Sequence, residues 1–384
     1  MRVEKIQIVE IDEECEISGW VSTESVEFPD PKLCWFRFGK EYASFLSDSA
    51  DIFLATLLLP AMLLGEDLVI EGMASEQLLK NAEKIQAIYR RWLPAARKIN
   101  IVCQTVPSDE LICRESRAQM VGCFFSGGVD SFYSSLKNFD EITHLLMVSG
   151  FDGGIRNPNI LGKTRSVLGE VALASGKKLL EIKTNIREIW GKKVDWGFYH
   201  GAVLGGIALS MAPGFKKIIV PSSYDYGHLH PWGSHPLLDP LWSDGFLEVI
   251  HDGCEATRYE KIGAIAKSKL ALSALRVCSD SSPSNSYNCG QCEKCVRTML
   301  ALHLHGVLDE CSTFTGKLTP KSVRKIGIKT GGQLAFAQEI LNELKKRGSS
   351  YDRALCRSLE YSIRFGVVRK FLRGIKSKIK NSFG

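Results

Sequence analysis

A chain of 384 residues, 45% hydrophobic and 24% charged, has the length for two or three domains and the composition of an ordinary globular protein. No signal-like apolar region follows Met1-Arg2-Val3-Glu4-Lys5, and the longest near-apolar run, Ile52 to Leu64, is short for a membrane span and contains Pro60, so the expectation is a cytoplasmic protein without a transmembrane segment. The net charge of +6 is concentrated at one end: residues 364–384 hold seven basic side chains and no acid, which leaves a near-neutral body unlike a nucleic-acid binder.

Residues 1–118 read as an α+β accessory domain. Glu4 to Val21 alternates like a strand, Leu33 to Phe38 is aromatic-rich, Asp51–Leu64 and Asn81–Ala95 have helical character, and Lys98–Thr105 reads as a strand. No chemistry-bearing motif falls in this part.

From Met120 the pattern changes to strand–helix repeats, and residues 119–275 form the second predicted domain. Strands are expected at Gly122–Phe125, His144–Val148, Lys178–Ile182 and Lys217–Val220, with helices at Ser131–Asn138, Ile160–Ala174 and Gly201–Met211. Strands alternating with helices at this interval predict an α/β, doubly wound parallel sheet with right-handed crossovers. Ligands of such sheets bind beyond the carboxyl ends of the strands. At the first of those ends stands Ser126-Gly127-Gly128-Val129-Asp130-Ser131. Two glycines between a strand and a helix N-terminus let backbone N–H groups converge on a phosphate, and the serine hydroxyls add to them. No lysine follows the glycines, so this is not a Walker loop. It resembles the pyrophosphate loop of ATP pyrophosphatases, which implies ATP split between its α and β phosphates.

Tyr224 to Gly253 has little regular pattern. It carries His228, His230, His235 and His251 together with Trp232 and Trp242, and reads as a functional loop. His228 and His230 alone are a thin metal set.

The third segment, 276–310, holds Cys278, Cys289, Cys292 and Cys295. Two Cys-x2-Cys turns plus one distant cysteine complete a tetrahedral thiolate site; zinc is favoured, with an iron–sulfur cluster as the rival. Gly290 lets the chain wrap the ion, and Cys295 opens a helix whose N-terminus favours thiolate. The other eight cysteines are scattered and read mostly as small buried hydrophobes. Residues 311–384 form a helical region with a basic tail. There Phe365, Val368, Leu372, Ile375 and Ile379 recur at helical spacing, as in a helix facing an anionic lipid or nucleic-acid surface or one packed on the body.

A Ser-Gly-Gly-x-Asp-Ser loop followed by Cys-x10-Cys-Gly-x-Cys-x2-Cys resembles the 7-cyano-7-deazaguanine synthase (QueC) family of the PP-loop superfamily, over residues 120 to about 305. The resemblance implies the adenine-nucleotide α-hydrolase sheet with a zinc-clamped C-terminal lobe. It also implies an ATP-dependent, C–N bond-forming ligase that uses ATP, Mg²⁺ and Zn²⁺ and activates a carboxylate or amide of a 7-deazaguanine-like acceptor for attack by ammonia. Carried over by position, Ser126, Gly127, Gly128, Val129, Asp130 and Ser131 would hold the phosphates, with Ser126, Asp130 and Ser131 in the chemistry. Ser149 and Phe151 would lie near adenosine, Lys261 would stabilise the phosphate transition state, and the four cysteines would bind zinc.

The chain departs from that pattern at Phe151–Arg156, at Phe198–Gly201 and across Gly227–Ser243, so the acceptor pocket is expected to be rebuilt. His200, His235, Asp239 and His251 are its candidates. His235 and Asp239 would equally serve as turn residues, and His251 would equally pair with Asp252. Ammonia would be free or come from a partner protein. The acceptor would be a small molecule, with a protein or nucleic acid also conceivable, and QueC-like proteins of antiphage defence offer one setting. Two other functions fit the loop: a tRNA-modifying sulfurtransferase or ligase, which needs a reactive thiol such as Cys123 or Cys254, and a non-catalytic nucleotide-binding partner protein.

Overall fold

Ten strands join in one sheet: β1 (Arg2–Ile11), β2 (Glu14–Ser22), β3 (Lys32–Gly39), β4 (Leu68–Ser75), β5 (Ile101–Val106), β6 (Met120–Phe124), β7 (His144–Ser149), β8 (Lys178–Thr184), β9 (Phe215–Pro221) and β10 (Glu248–Asp252). Their spatial order is β10-β9-β6-β7-β8-β3-β2-β1-β4-β5. The computed structural model describes residues 1–26, 28–106, 119–151, 158–278 and 286–365. The basic tail from Gly366 onward and the altered stretch Asp152–Arg156 lie outside them.

The four strands expected after Met120 are β6 to β9, and they run parallel with β10 in one half of the sheet. Here Val121 and Cys123 face one core while Phe124 faces the other, as the two-residue period of a doubly covered strand requires. From β6 the chain moves outward through β7 to β8, then returns to β9 and β10 on the opposite side. The gap between β6 and β9 is therefore the topological switch point, where the two loops leaving adjacent strands diverge and open a crevice.

The other half is an antiparallel meander, β1-β2-β3, extended by β4 and β5 parallel to β1. The strands from Arg2 to Val106, in the part read from sequence as an accessory unit, thus supply half of a continuous sheet. The seam is the antiparallel pair β3–β8, with Phe36 opposite Thr184 and Arg37 opposite Lys183. Asn185 prolongs it with its side chain, accepting from the Trp35 N–H at 3.0 Å and donating to the Leu33 carbonyl at 2.8 Å.

One hydrophobic core also crosses the seam. Helix α1 (Asp51–Leu64) is apolar on every side and lies buried against the glycine-rich α6 (Trp196–Ser210). A Cβ at Gly206 would stand 2.2 Å from Thr56 Oγ1, so glycine sets the close approach of the two helices. Pro60 lacks the N–H that the Thr56 carbonyl would otherwise receive within α1. The buried Tyr199 hydroxyl of α6 donates to that carbonyl at 2.8 Å instead. Helix α2 (Glu76–Trp92) starts on a Ser75 cap, and its Asn81 side chain donates to the Leu241 and Ser243 carbonyls.

Helices α3 (Val129–Lys137), α4 (Pro158–Ala174), α5 (Ile186–Trp190), α7 (Arg258–Ile265) and α8 (Lys269–Ala274) complete the strand–helix repeats. The expected helix at Gly201–Met211 begins earlier, because Asp195 caps Gly197 and starts α6 at Trp196. His200 therefore sits inside the helix, and the Phe198–Gly201 departure is helical. The segment 224–253, which has no period in sequence, contains two short 3-10 turns and the edge strand β10. Helices α9 (Glu293–Leu304), α10 (Pro320–Lys325) and α11 (Gly331–Lys345), with a helical stretch at 350–365, cover the second face through Leu300, Ile340 and Leu355. No helix among the described residues is long and apolar enough to cross a membrane.

Candidate nucleotide-like cleft and thiolate centre

The Ser126–Ser131 loop runs from β6 into α3 at the switch point. Gly127 has φ +72, and a Cβ there would come 2.8 Å from Leu168 Cδ2, so this position needs glycine twice over. The loop is fastened on both flanks. Phe125 N–H donates to the Leu146 carbonyl at 2.7 Å, and the Gly127 carbonyl accepts from Arg276 N–H at 2.7 Å. Ser131 Oγ turns back to the Gly128 carbonyl at 3.1 Å, closing the first turn of α3.

A cavity opens on each side of this loop. The first, about 240 Å³, is mostly apolar. Phe125, Leu146, Val148, Phe151 and Leu204 line it, with Ser126, Asp130 and Ser131 at one end. Phe151, expected near a nucleoside, is in this lining, held edge-on against Trp196 at 4.8 Å. Ser149 also lines it, but its hydroxyl donates to Glu181 Oε1 at 2.9 Å. The second cavity, about 390 Å³, begins at Gly128, Val129 and Asp130 and extends under α9, where Arg258, Arg276, Lys294 and Arg297 face it. Ser126 and Asp130 border both cavities.

Asp130 Oδ2 accepts from Arg258 Nη2 at 2.8 Å. Its buried Oδ1 makes no hydrogen bond among the described residues and pairs with Lys261 Nζ at 3.6 Å. Lys261 is fully buried and donates to the Ser222 carbonyl at 2.7 Å. Burial lowers its pKa and Asp130 opposes that shift. Lys261, expected to stabilise a phosphate transition state by its charge, lines neither cavity and lies beneath the loop against Asp130 and the end of β9.

The four acceptor candidates separate. His200 lines the apolar cavity and donates from Nδ1 to the Trp196 carbonyl at 2.9 Å. Asp239 and His251 line neither cavity; they are buried behind Ser234, which does. Ser234 Oγ donates to Asp239 Oδ2 at 2.6 Å, and His251 Nδ1 reaches the same oxygen at 2.6 Å. Burial pulls against the charged ring of His251, yet Asp239 and Cys254 together outweigh it and bring the pKa up to about 9. His251 thus pairs with Asp239, while Asp252 belongs to Lys137 at 2.9 Å. His235 serves a turn: its Nδ1 accepts from Leu237 N–H at 3.0 Å, and its ring sits edge-on to Trp92. His228 bonds Asp225 and lines neither cavity.

The four cysteines converge with all ligand atoms within 4.8 Å of one another. The sulfurs of Cys278 and Cys292 are 3.9 Å apart and those of Cys289 and Cys295 are 3.8 Å apart. A tetrahedron with Zn–S bonds of about 2.3 Å has edges of about 3.8 Å, so the cluster fits a metal such as zinc. Gly290 turns the chain with φ +64, and a Cβ there would lie 2.7 Å from the Gly316 nitrogen. Cys292 N–H points at Cys289 Sγ from 3.3 Å, and Cys292 caps α9. Asn288, fully buried, anchors the lobe: its Oδ1 accepts from Val277 and Cys278 N–H at 2.8 and 3.1 Å, and its Nδ2 donates to the Leu275 carbonyl at 2.7 Å and to Thr313 Oγ1 at 3.0 Å.

The sequence reading missed Arg258, Arg276, Arg297 and Phe336. Arg276 lies two residues before Cys278 and Arg297 two after Cys295, so both were within sight of the motif. Their convergence on the loop depends on how the thiolate lobe folds back. Comparison of the chain with protein-family models, with curated proteins and with solved structures finds no match.

Proposed function

We propose that the protein binds ATP across the Ser126–Ser131 loop, splits it between the α and β phosphates, and transfers the adenylyl group to a carboxylate or amide of a 7-deazaguanine-like or related acceptor, which ammonia then attacks. One observation carries this reading. The glycine loop stands at the switch point of the sheet, with an apolar cavity on one side and a basic cavity on the other. A nucleoside suits the first and a polyphosphate the second, which would leave the α-phosphate at Ser126 and Asp130.

In this reading the backbone N–H groups at the start of α3 hold the phosphates, and Ser126 and Ser131 flank them. Asp130 is the carboxylate common to both cavities. Its carboxylate, bonded to Arg258 and paired with Lys261, would contribute an oxygen to Mg²⁺. Bound there, magnesium would neutralise charge on the departing pyrophosphate. A closed four-thiolate zinc site would serve as a clamp that holds Arg276 and α9 against the loop. His200 and Ser234 face the apolar cavity, with His251 and Asp239 behind Ser234. This group would orient the acceptor.

The sulfurtransferase reading is weaker on this geometry. Cys123 and Cys254 are both buried and neither lines either of these two cavities. The deciding experiment is incubation with ATP, Mg²⁺, ammonia and a panel of deazaguanine carboxylates, with chromatographic resolution of the nucleotides. AMP and pyrophosphate in equal amounts are expected. ADP with phosphate and no AMP would sink the proposal, and nucleotide binding without turnover across acceptors would favour the non-catalytic partner.

A further inference from the structure

The basic cavity contains a buried cation that the fold leaves underused. Arg297, on α9, is more than nine-tenths buried and lines the cavity. Its Nε stands 2.9 Å from Glu293 Oε1, and its Nη1 has no hydrogen-bond partner among the described residues. A guanidinium carries five donors, and leaving them unmade in a buried place is costly.

The neighbours add to the imbalance. Arg258 lies over one aromatic ring, Phe336, at 5.0 Å, and Arg297 lies over the same ring at 4.4 Å. Two guanidinium ions gathered on one ring repel each other. Four cations, Arg258, Arg276, Lys294 and Arg297, face the cavity against the carboxylates of Asp130 and Glu293. Asp130 already accepts from Arg258, and Arg258 Nε makes no hydrogen bond among the described residues. The opposite wall is the N-terminal turn of α3 at Gly128 and Val129, where N–H groups and the helix dipole favour anions.

We propose that this cavity is a polyphosphate site in which Arg297 is the discriminating residue, so that a diphosphate or longer chain is preferred to a single phosphate. A monophosphate held at the α3 N-terminus is served by the loop alone. A second phosphate reaching under α9 meets the open donors of Arg297, which guanidinium geometry suits for bidentate contact. The inference rests on the nucleotide reading only for which molecule brings the phosphates; free pyrophosphate would satisfy the same groups.

The test is calorimetric titration of the full chain, in Mg²⁺ at fixed ionic strength, with inorganic pyrophosphate, orthophosphate, AMP and ATP. Three proteins are compared: the wild type, Arg297→Lys, and the double variant Arg297→Gln with Glu293→Gln, which removes the buried pair without stranding a charge. The double variant is expected to weaken pyrophosphate and ATP by about 10- to 100-fold, the loss of charged hydrogen bonds, while AMP changes less than about twofold. Arg297→Lys should recover part of the loss. Equal weakening of AMP and ATP would mark Arg297 as merely structural and overturn the proposal, as would unchanged pyrophosphate binding. Wild-type protein that binds AMP but not pyrophosphate would overturn it and leave the nucleotide reading standing. Arg297-dependent binding of pyrophosphate without any binding of AMP or ATP would uphold it and remove the nucleotide reading.

Discussion

Replacing Asn288 by alanine tests whether the thiolate lobe and the glycine loop are one mechanical unit. The Asn288 side chain makes four hydrogen bonds, of which those from Cys278 N–H and to the Leu275 carbonyl are fully buried. Alanine would strand both of these groups, and each buried unsatisfied group costs about 1–3 kcal/mol. With partial relaxation the segment Leu275–Cys278 should be loosened by about 2–4 kcal/mol. This segment includes Arg276, whose N–H holds the Gly127 carbonyl, and so the loosening should spread to the loop. Hydrogen exchange read by mass spectrometry resolves such a local effect in a chain too large for simple two-state unfolding. Exchange in peptides covering 272–278 and 124–130 should accelerate about thirty- to a thousandfold, with peptides of α1 unchanged. Faster exchange at 272–278 with no change at 124–130 would refute the coupling. No change in either would refute the account of Asn288 itself.

Other outcomes follow from the geometry. The His251 pKa is raised to about 9 in the folded protein, so its pairing with Asp239 stabilises fully below about pH 6.5 and is lost as pH climbs through 9. Urea midpoints should fall across that window, the shift being worth at most about 3 kcal/mol, and Asp239→Asn should flatten part of the dependence. Tyr199→Phe strands the Thr56 carbonyl and should cost about 1–2 kcal/mol; adding Pro60→Ala restores a donor within α1, so a double-mutant cycle should show that much coupling. Cys292→Ser should abolish stoichiometric zinc in metal analysis of the purified protein, whereas Cys311→Ser, a buried thiol outside the cluster, should leave zinc unchanged.

The strand–loop–helix unit at Met120–Lys137 and the cysteine cluster were legible because their signals are local. A short apolar run, two glycines and a helix start lie within a dozen residues, and metal-ligand spacing needs only neighbours. The β3–β8 seam had no such signal. It rests on pairs between residues far apart in the chain, and a strand with two partners looks like a strand with one. Helix α1 is buried all round, so it lacks the one-sided apolar stripe that would have told which surface it covers. Strand β10 was missed because five residues, Glu-Val-Ile-His-Asp, carry too little alternation to stand out. The uses of the histidines around it were open in sequence: a residue type that suits catalysis also suits a capped turn or a buried ion pair, and only the fold places His235 in a turn and His251 on Asp239. The arginine cluster depends on the lobe folding back over the loop, which no pattern along the chain encodes.

The seam between β3 and β8 also bears on how the protein is made. Trp35 and Thr184, bonded across it, are 149 residues apart. At ribosomal speeds the meander would wait roughly 10–30 s for its neighbour to emerge. During that time β3 presents an unpaired edge beside an apolar face that includes Phe36 and Phe38. Such long-range closure slows folding and exposes the nascent chain to mispairing. The nascent first hundred residues would then be a client for holding chaperones, and their soluble yield alone should be poor.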